Sequence, residues 1–175
     1  MEEVYGMRLT STGFGIFVIF AAIYAAGTLG IGRPEVAGVE VKVGEIGAPL
    51  VALFGMPALV GLVFGQFIAN SASPLGPLDM ASPLVSLAGL LVIWYMRRRL
   101  VIVGSIIYAA ITSPWLAFLI SNTQAIQYPA ALVSALASQV TAVITGYIIY
   151  EILRRAPPFK QEAKAAQQEA EAVVK

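Results

Sequence analysis

Long stretches without a charged residue dominate the chain, and short clusters of charged or turn-forming residues separate them. A helix needs about 20 mainly apolar residues to cross the hydrocarbon core of a bilayer, where its backbone must satisfy its own hydrogen bonds. On this basis we predict membrane-spanning helices over about residues 12–31, 82–96, 100–120 and 129–153. The arginines at 97–99 and 154–155 mark the ends of two of these helices.

Residues 46–71 form a further uncharged stretch, which is too long for one comfortable span and is interrupted by Gly55, Met56 and Pro57. We interpret this stretch as two short helices that meet at a tight turn. The sequence therefore predicts an all-α integral membrane protein with six transmembrane helices. Residues 1–155 are expected to form the transmembrane domain, and residues 156–175, which are rich in Ala, Glu and Gln, a polar helical tail in the cytosol.

Composition supports a multi-pass protein of the cell membrane. Hydrophobic residues make up 58% and charged residues 12% of the 175 positions, whereas a soluble domain has about 45–50% and about 25%. The sequence has no Cys or His, so it offers neither thiol chemistry nor the commonest metal ligand, and we expect no cofactor and no metal. A net charge of +1 gives no indication of a nucleic-acid partner.

The first apolar segment is not typical of a signal peptide, because Glu2 and Glu3 precede it and its apolar core is too long. We expect it to be a retained helix. With six spans and a cytosolic N-terminus, nine of the eleven basic residues fall on the inner side, and only Arg33 and Lys42 fall outside. The opposite orientation would reverse this bias, so the positive-inside rule predicts that both termini are cytosolic.

The loop "GRPEVAGVEVKVG" contains a strand signal, because Val39 and Val41 alternate with Glu40 and Lys42. No phosphate-binding G-x-x-x-x-G-K-[ST] motif and no nucleophile-plus-base constellation occur in the sequence. We therefore expect that the protein is not an enzyme, and that a partner supplies the energy for any transport.

Several polar or aromatic residues fall at the predicted outer ends of the helices. They are Glu45, Asn70, Asp79, Trp115 and Asn122, with Gln124 nearby. One hypothesis is that they line an outward-facing pocket for a small molecule. The alternative is that Glu45, Asn70 and Asp79 only cap helix ends.

Small residues recur at helical spacing in two of the spans. Gly61, Gly65 and Ala69 form one set, which is expected to pack within the chain because small faces let helices approach closely in lipid. The first span carries two offset pairs, made by Ala21 with Ala25 and Ala22 with Ala26. These alanines are suited either to packing within the chain or to a partner helix.

The segment "VKVGEIGAPLVALFGMPALVGLVFGQFIANSASPLGPLD" resembles the QueT family, substrate-binding S components of energy-coupling-factor (ECF) transporters. The resemblance lies in an acidic residue followed by G-L-x-x-G-x-F-x-A-N and then P-L-G and an aspartate. The matching residues are Glu45, Gly61, Leu62, Gly65, Phe67, Ala69, Asn70, Pro74, Leu75, Gly76 and Asp79. The sequence departs from the family pattern in having Lys42 for an arginine and Gly44 for a serine, and in extra length between Glu45 and Gly61.

The resemblance implies an S-component-like bundle that captures queuosine, queuine or a related 7-deazaguanine precursor from outside. It also implies partners: a membrane coupling protein of the EcfT type, contacted by Ala21, Ala22, Ala25 and Ala26, and two cytosolic ATPases. A guanine-like edge presents two N–H donors, which one carboxylate such as Glu45 can accept together. An amide such as Asn70 can read the remaining acceptor, and an aromatic side chain can stack on the base. We expect the loop from residue 33 to residue 43 to act as a lid.

Two other functions remain open at this point. One is an S component of the same transporter class that binds a different vitamin, because S components share a fold while their pockets differ. The other is a membrane assembly subunit that binds no ligand.

Overall fold

The computed structural model describes residues 11–31, 35–36, 39–40 and 42–156, the four residues of 35–36 and 39–40 through their backbone alone. The helices are α1 (Ser11–Gly30), α2 (Val51–Asn70), α3 (Ser82–Met96), α4 (Val101–Thr123) and α5 (Tyr128–Arg154). Two 3₁₀ helices, Val43–Leu50 and Pro77–Ala81, lead directly into α2 and α3. The predicted tail lies outside the described residues from position 157 onwards, as does Arg33 of the predicted lid.

Five helical segments are long and apolar enough to cross a membrane: Ser11–Gly30, Val43–Asn70, Pro77–Met96, Val101–Thr123 and Tyr128–Arg154. Large apolar side chains are exposed on every one of them, for example Ile19, Phe64, Leu84, Ile106 and Ile148. A helix that is apolar on all sides is typical of a membrane span, because lipid then replaces the protein core on its outer face. The prediction of an all-helical, multi-pass membrane protein is confirmed.

The chain reverses its direction at Gly55, as the sequence predicted from the break at this point. Gly55 has φ 73° and ψ −155°, a conformation that glycine adopts without the steric cost of a Cβ atom. A methyl group on Gly47 would lie 2.8 Å from Leu62 Cδ2, so residues 47 and 62 are side by side. One continuous helix would separate them by about 22 Å. The region is a helical hairpin with a first arm (residues 43–54) and a second arm (residues 56–70).

The second arm packs closely against α1 through its glycines. A methyl group on Gly61 would lie 2.5 Å from the Phe17 carbonyl oxygen, and one on Gly65 would lie 2.5 Å from the Ala21 carbonyl oxygen. The contacts advance by four residues on both helices, so α1 and the second arm run in the same direction. The expectation that Gly61 and Gly65 serve packing within the chain is confirmed.

The other helices follow in antiparallel order. Gly89 of α3 lies against Tyr108 of α4, and Gly104 of α4 lies against Ile93 of α3. Helix α5 returns beside α4, and its Gly146 packs against the Ile46 carbonyl of the first arm. The first arm is therefore enclosed by α1, the second arm and α5. The buried core between them contains Phe20, Tyr24, Leu62, Leu90, Tyr108 and Val143.

The loop after α1 contains a short antiparallel ladder, in which Glu35–Val36 pairs with Val39–Glu40. The register places Glu35 opposite Glu40 and Val36 opposite Val39. The strand predicted from the alternation of valines with charged residues is therefore present at Val39 and Glu40.

Candidate ligand-binding site

Glu45 lies on the first arm and is buried, with 4% of its surface exposed. The Tyr24 hydroxyl of α1 donates a hydrogen bond of 2.8 Å to Glu45 Oε1. The Tyr108 hydroxyl of α4 donates a second hydrogen bond to Glu45 Oε2. Burying a carboxylate costs free energy unless hydrogen bonds compensate it, and here each oxygen has a tyrosine donor.

The sequence analysis placed Glu45 at the outer edge of a span but did not assign it these partners. Tyr24 and Tyr108 are two of the largest fully buried side chains of the described region. A buried tyrosine usually finds a hydrogen-bond partner for its hydroxyl group. A tyrosine in the middle of an apolar span therefore indicates that a polar partner on another helix lies at the same depth in the membrane, and the sequence analysis did not use this signal.

A small, partly open space lies next to the Glu45 carboxylate. Its lining comes from the first arm and the residue before it, α3, α4 and α5. The polar side chains of the lining are Lys42, Glu45, Ser82, Ser86, Thr112 and Gln139, beside Trp115, Val85 and Leu116. Its volume is about 10 Å³, which is close to the minimum for one water molecule. A larger molecule can enter only if the surrounding helices or the loop before the first arm move apart.

Gln139 gives this space an unused acceptor. Its side chain is 2% exposed, and its Oε1 atom has no hydrogen-bond partner within the described part of the chain. A second buried amide, Gln66, has an unpaired Oε1 as well, but Gln66 does not line the cavity. An unpaired buried acceptor costs about 1–3 kcal/mol, so Gln139 Oε1 is suited to receive a donor from a bound molecule. The sequence analysis did not identify Gln139, because an amide in the middle of a long apolar helix carries no motif.

Asn70 and Asp79 form a separate network at the turn between α2 and α3. Asn70 Nδ2 donates to the Asp79 carbonyl at 2.9 Å, and Asp79 is fully buried. Its carboxylate accepts hydrogen bonds from Ser73 and Ser82. These contacts fix the turn, but no side-chain hydrogen bond caps the N-terminus of the second 3₁₀ helix or of α3, and neither Asn70 nor Asp79 lines the cavity. Their contact with a ligand stays a prediction.

Trp115 connects this turn to the cavity. Its Nε1 donates to Ser82 Oγ at 2.8 Å, and Ser82 in turn donates to Asp79. The indole lies against the same space as Glu45, and its contact with a ligand stays a prediction.

Asn122 is placed two turns further along α4, where it is exposed and its Nδ2 donates to the Phe118 carbonyl at 2.7 Å. Seven residues of α-helix span about 10 Å, so Asn122 lies outside the cavity, and its contact with a ligand stays a prediction. Gln124 lies past the end of α4 and is exposed.

A protein-family model described as QueT transporter matches residues 16–155 of the chain. The match includes every described helix, except for the first five residues of α1, and all the residues of the candidate site. The chain belongs to the QueT transporter family. Comparison with curated proteins and with solved structures gave no match.

In this QueT family protein, the two sides of α1 have different environments. Ala21 is buried and packs against Gly65, whereas Ala22 and Ala26 are exposed and Ala25 is half-buried. The structure thus distinguishes the two offset alanine pairs. Only the Ala22 and Ala26 pair presents a small, open surface on the lipid-facing side of the helix.

Proposed function

We propose that this QueT family protein is the substrate-binding S component of an ECF-type importer. In this role it captures queuosine, queuine or a related 7-deazaguanine from outside the cell. It then delivers the ligand through an EcfT-type coupling protein driven by two cytosolic ATPases. The observation that supports this role best is the buried Glu45 carboxylate beside a polar space that also contains the unpaired acceptor of Gln139.

The donors of a 7-deazaguanine match these acceptors. Its guanine-like edge carries adjacent N–H groups, which the Glu45 carboxylate can accept as a charge-assisted pair. A further N–H of the base, or a hydroxyl group of its substituent, can donate to Gln139 Oε1. The Trp115 indole offers an aromatic face beside the cavity, and base–aromatic stacking is worth about 1–3 kcal/mol.

We expect ligand binding in this site to exchange hydrogen bonds. Each Glu45 oxygen accepts from one tyrosine hydroxyl, and in the proposed bound state the donors of the ligand replace the hydroxyl of Tyr24, of Tyr108 or of both. The space must also grow from about 10 Å³ towards the several hundred Å³ that small-molecule sites have. The loop before the first arm joins α1 to the arm that carries Glu45, and in the proposed mechanism this loop moves as a lid to open the site.

The hairpin at Gly55 supports six membrane crossings. Its two arms run in opposite directions, so if each arm crosses the membrane, the number of crossings is six, and Ser11 of α1 and Arg154 of α5 would lie on the same side. Two groups of arginines lie at the same end of the bundle: Arg97, Arg98 and Arg99 after α3, and Arg154 and Arg155 at the end of α5. By the positive-inside rule this end faces the cytosol.

Two alternatives follow from the same structure. An S component for another vitamin would use the same fold with a different complement of donors. A ligand-free assembly subunit would have no use for an unpaired Gln139 acceptor at a polar cavity, and this observation favours a binding protein. Catalysis is not favoured, because the family is one of transporters.

A thermal-shift screen of the detergent-purified protein tests the proposal. The panel consists of queuine, queuosine, guanine, and vitamins such as riboflavin, thiamine and biotin. A ligand that binds only the folded state stabilises it by about 2.7 kcal/mol at 100 times its Kd, so we expect a clear rise in Tm with a 7-deazaguanine. A rise with another vitamin alone would assign the protein to that substrate, and the absence of any rise would contradict a binding role.

A further inference from the structure

A second polar site lies at the opposite end of the bundle from the Glu45 cavity. It is a cleft of about 170 Å³ between the turn after α3 and the last turns of α5. Its lining includes Arg97, Arg98 and Arg99 on one side, and Tyr147, Glu151 and Arg154 on the other. Four arginines and one glutamate thus surround a single concave space.

The glutamate does not neutralise this cleft, because its carboxylate already has three partners. Arg154 bonds to Glu151 Oε2 at 2.7 Å, and Arg155 lies 3.6 Å from the same oxygen. The Tyr147 hydroxyl donates to Glu151 Oε1 at 3.0 Å. Within the described part of the chain, Arg98 and Arg99 form no ion pair, so their guanidinium groups give the cleft an excess of positive charge.

An apolar groove runs along α3 directly before these arginines. It is shallow and widely open, has a volume of about 430 Å³, and is lined by five residues of α3: Leu91, Val92, Trp94, Tyr95 and Met96. The Arg97 guanidinium stacks 4.2 Å above the Trp94 ring centroid and thus lies where groove and cleft meet. Tyr95 is 84% exposed, as expected for an aromatic side chain at the membrane interface.

We propose that this cleft binds the phosphate group of an anionic membrane lipid, with an acyl chain in the groove on α3. The planar guanidinium group matches the geometry of phosphate oxygens and can bond to two of them. Basic pockets between transmembrane helices at the cytosolic side are suited to anionic headgroups. A free phosphate ion would use the arginines but not the groove, and the groove therefore favours a lipid as the source of the phosphate.

The test uses the full chain in phosphatidylcholine vesicles that contain a minor fraction of brominated lipid. Bromine quenches tryptophan fluorescence at short range, and Trp94 lies at the groove. We expect brominated phosphatidylglycerol to quench more than brominated phosphatidylcholine at equal mole fraction. Each arginine near an anionic headgroup contributes about fivefold in affinity, so the double substitution Arg98→Gln and Arg99→Gln should remove the excess quenching.

Arg155→Gln is the matched control, because Arg155 carries the same charge at the same end of the bundle but does not line the cleft. The preference of the Arg155→Gln variant for phosphatidylglycerol should lie within about twofold of the preference of the unmodified protein. Equal quenching by both lipids, or an equal loss in the Arg155 variant, would overturn the proposal. The Tm of each variant in pure phosphatidylcholine verifies folding, and Arg98→Lys, which keeps the charge, should retain part of the preference if the double variant does not fold.

A competition with inorganic phosphate separates the two sources of the phosphate group. If the cleft holds a lipid, millimolar inorganic phosphate leaves the excess quenching by phosphatidylglycerol in place, because a free ion gains nothing from the groove. Removal of the excess by inorganic phosphate would assign the cleft to a small anion and overturn the assignment to a lipid.

Discussion

The Tyr24 hydroxyl donates a 2.8 Å hydrogen bond to Glu45 Oε1 and so joins α1 to the first arm. Tyr24 points into the bundle, whereas Ala22 and Ala26 of the same helix are exposed on the other side. One helix therefore connects the carboxylate of the candidate site with the surface proposed for the coupling protein. A ligand that replaces the Tyr24 hydroxyl on Glu45 would release α1 from this contact.

Glu45→Gln tests whether the carboxylate anchors the ligand. The variant keeps the size of the side chain but replaces one acceptor oxygen with a donor, so a guanine-like donor pair is left partly unpaired. This costs about 1–3 kcal/mol, and we expect the Kd for the 7-deazaguanine found in the screen to rise at least tenfold. Because Glu45 is buried and bonded to two tyrosines, we also expect a lower Tm. A normal Kd would contradict the anchor role.

Tyr24→Phe separates the ligand role of Glu45 from its structural role. The variant removes a donor that stabilises the ligand-free protein, and the proposed ligand supplies its own donor in place of it. The Tm without ligand should therefore fall, while the Kd should stay the same or decrease by up to about tenfold. Thermal melting and isothermal titration on one preparation measure both quantities. A Kd that rises tenfold would show that the ligand does not displace this hydroxyl group.

Gln139→Leu tests the unpaired acceptor. An apolar side chain of similar size has no buried, unpaired Oε1 atom, so the substitution removes a desolvation cost and the Tm should stay the same or rise. The bound ligand loses an acceptor, and the Kd should rise about tenfold. Gln66→Leu is the matched control, because Gln66 is equally buried with an unpaired Oε1 but lies outside the cavity. A Kd that changes equally in both variants would exclude a specific role for Gln139.

The sequence predicted the helices well and the interior of the site poorly, and the reason is physical. Helix positions can be predicted from the length of the uncharged stretches and from the helix-breaking residues between them. The break at Gly55 and the arginines after Met96 therefore located the helices to within a few residues. The site depends on which helix faces come together. Because nearly every position on these helices is apolar, periodicity does not reveal the inward face.

Particular residues illustrate this limit. Glu45 and Trp115 were predicted from their position near the outer ends, and the structure brings both to one cavity. Tyr108 and Gln139 were not predicted, because each lies in the middle of a long apolar run. The distinction between Ala21 and Ala22 also required the structure, since both belong to small-residue pairs with the same spacing.

Cysteine labelling tests the six-crossing topology on a chain that has no native cysteine. Gln124→Cys and Arg98→Cys lie on exposed turns at opposite ends of the bundle, and an impermeant reagent should label them from opposite sides of the membrane. Met56→Cys, next to the reversal at Gly55, should be labelled from the same side as Arg98→Cys. Lys42 is unsuited as a reporter because it is 6% exposed. Labelling of positions 56 and 124 from the same side would exclude a crossing by the second arm.

The exposed alanines of α1 give the test of the proposed coupling-protein contact. Ala22→Trp places a large side chain on the exposed surface, where it meets only lipid in the solitary protein. The Kd and the Tm of the purified protein should therefore stay unchanged, whereas uptake of the ligand by cells that contain the coupling protein and the ATPases should be lost.

Ala21→Trp is the control from the other face of α1. Its indole has no room, because Ala21 is buried and its carbonyl oxygen already lies against Gly65. Overpacking of a well-filled core costs about 1–3 kcal/mol or more, so this variant should lose Tm as well as uptake. If Ala22→Trp also lowered the Tm and weakened ligand binding, its surface would belong to packing within the chain, and another face of the bundle would have to contact the coupling protein.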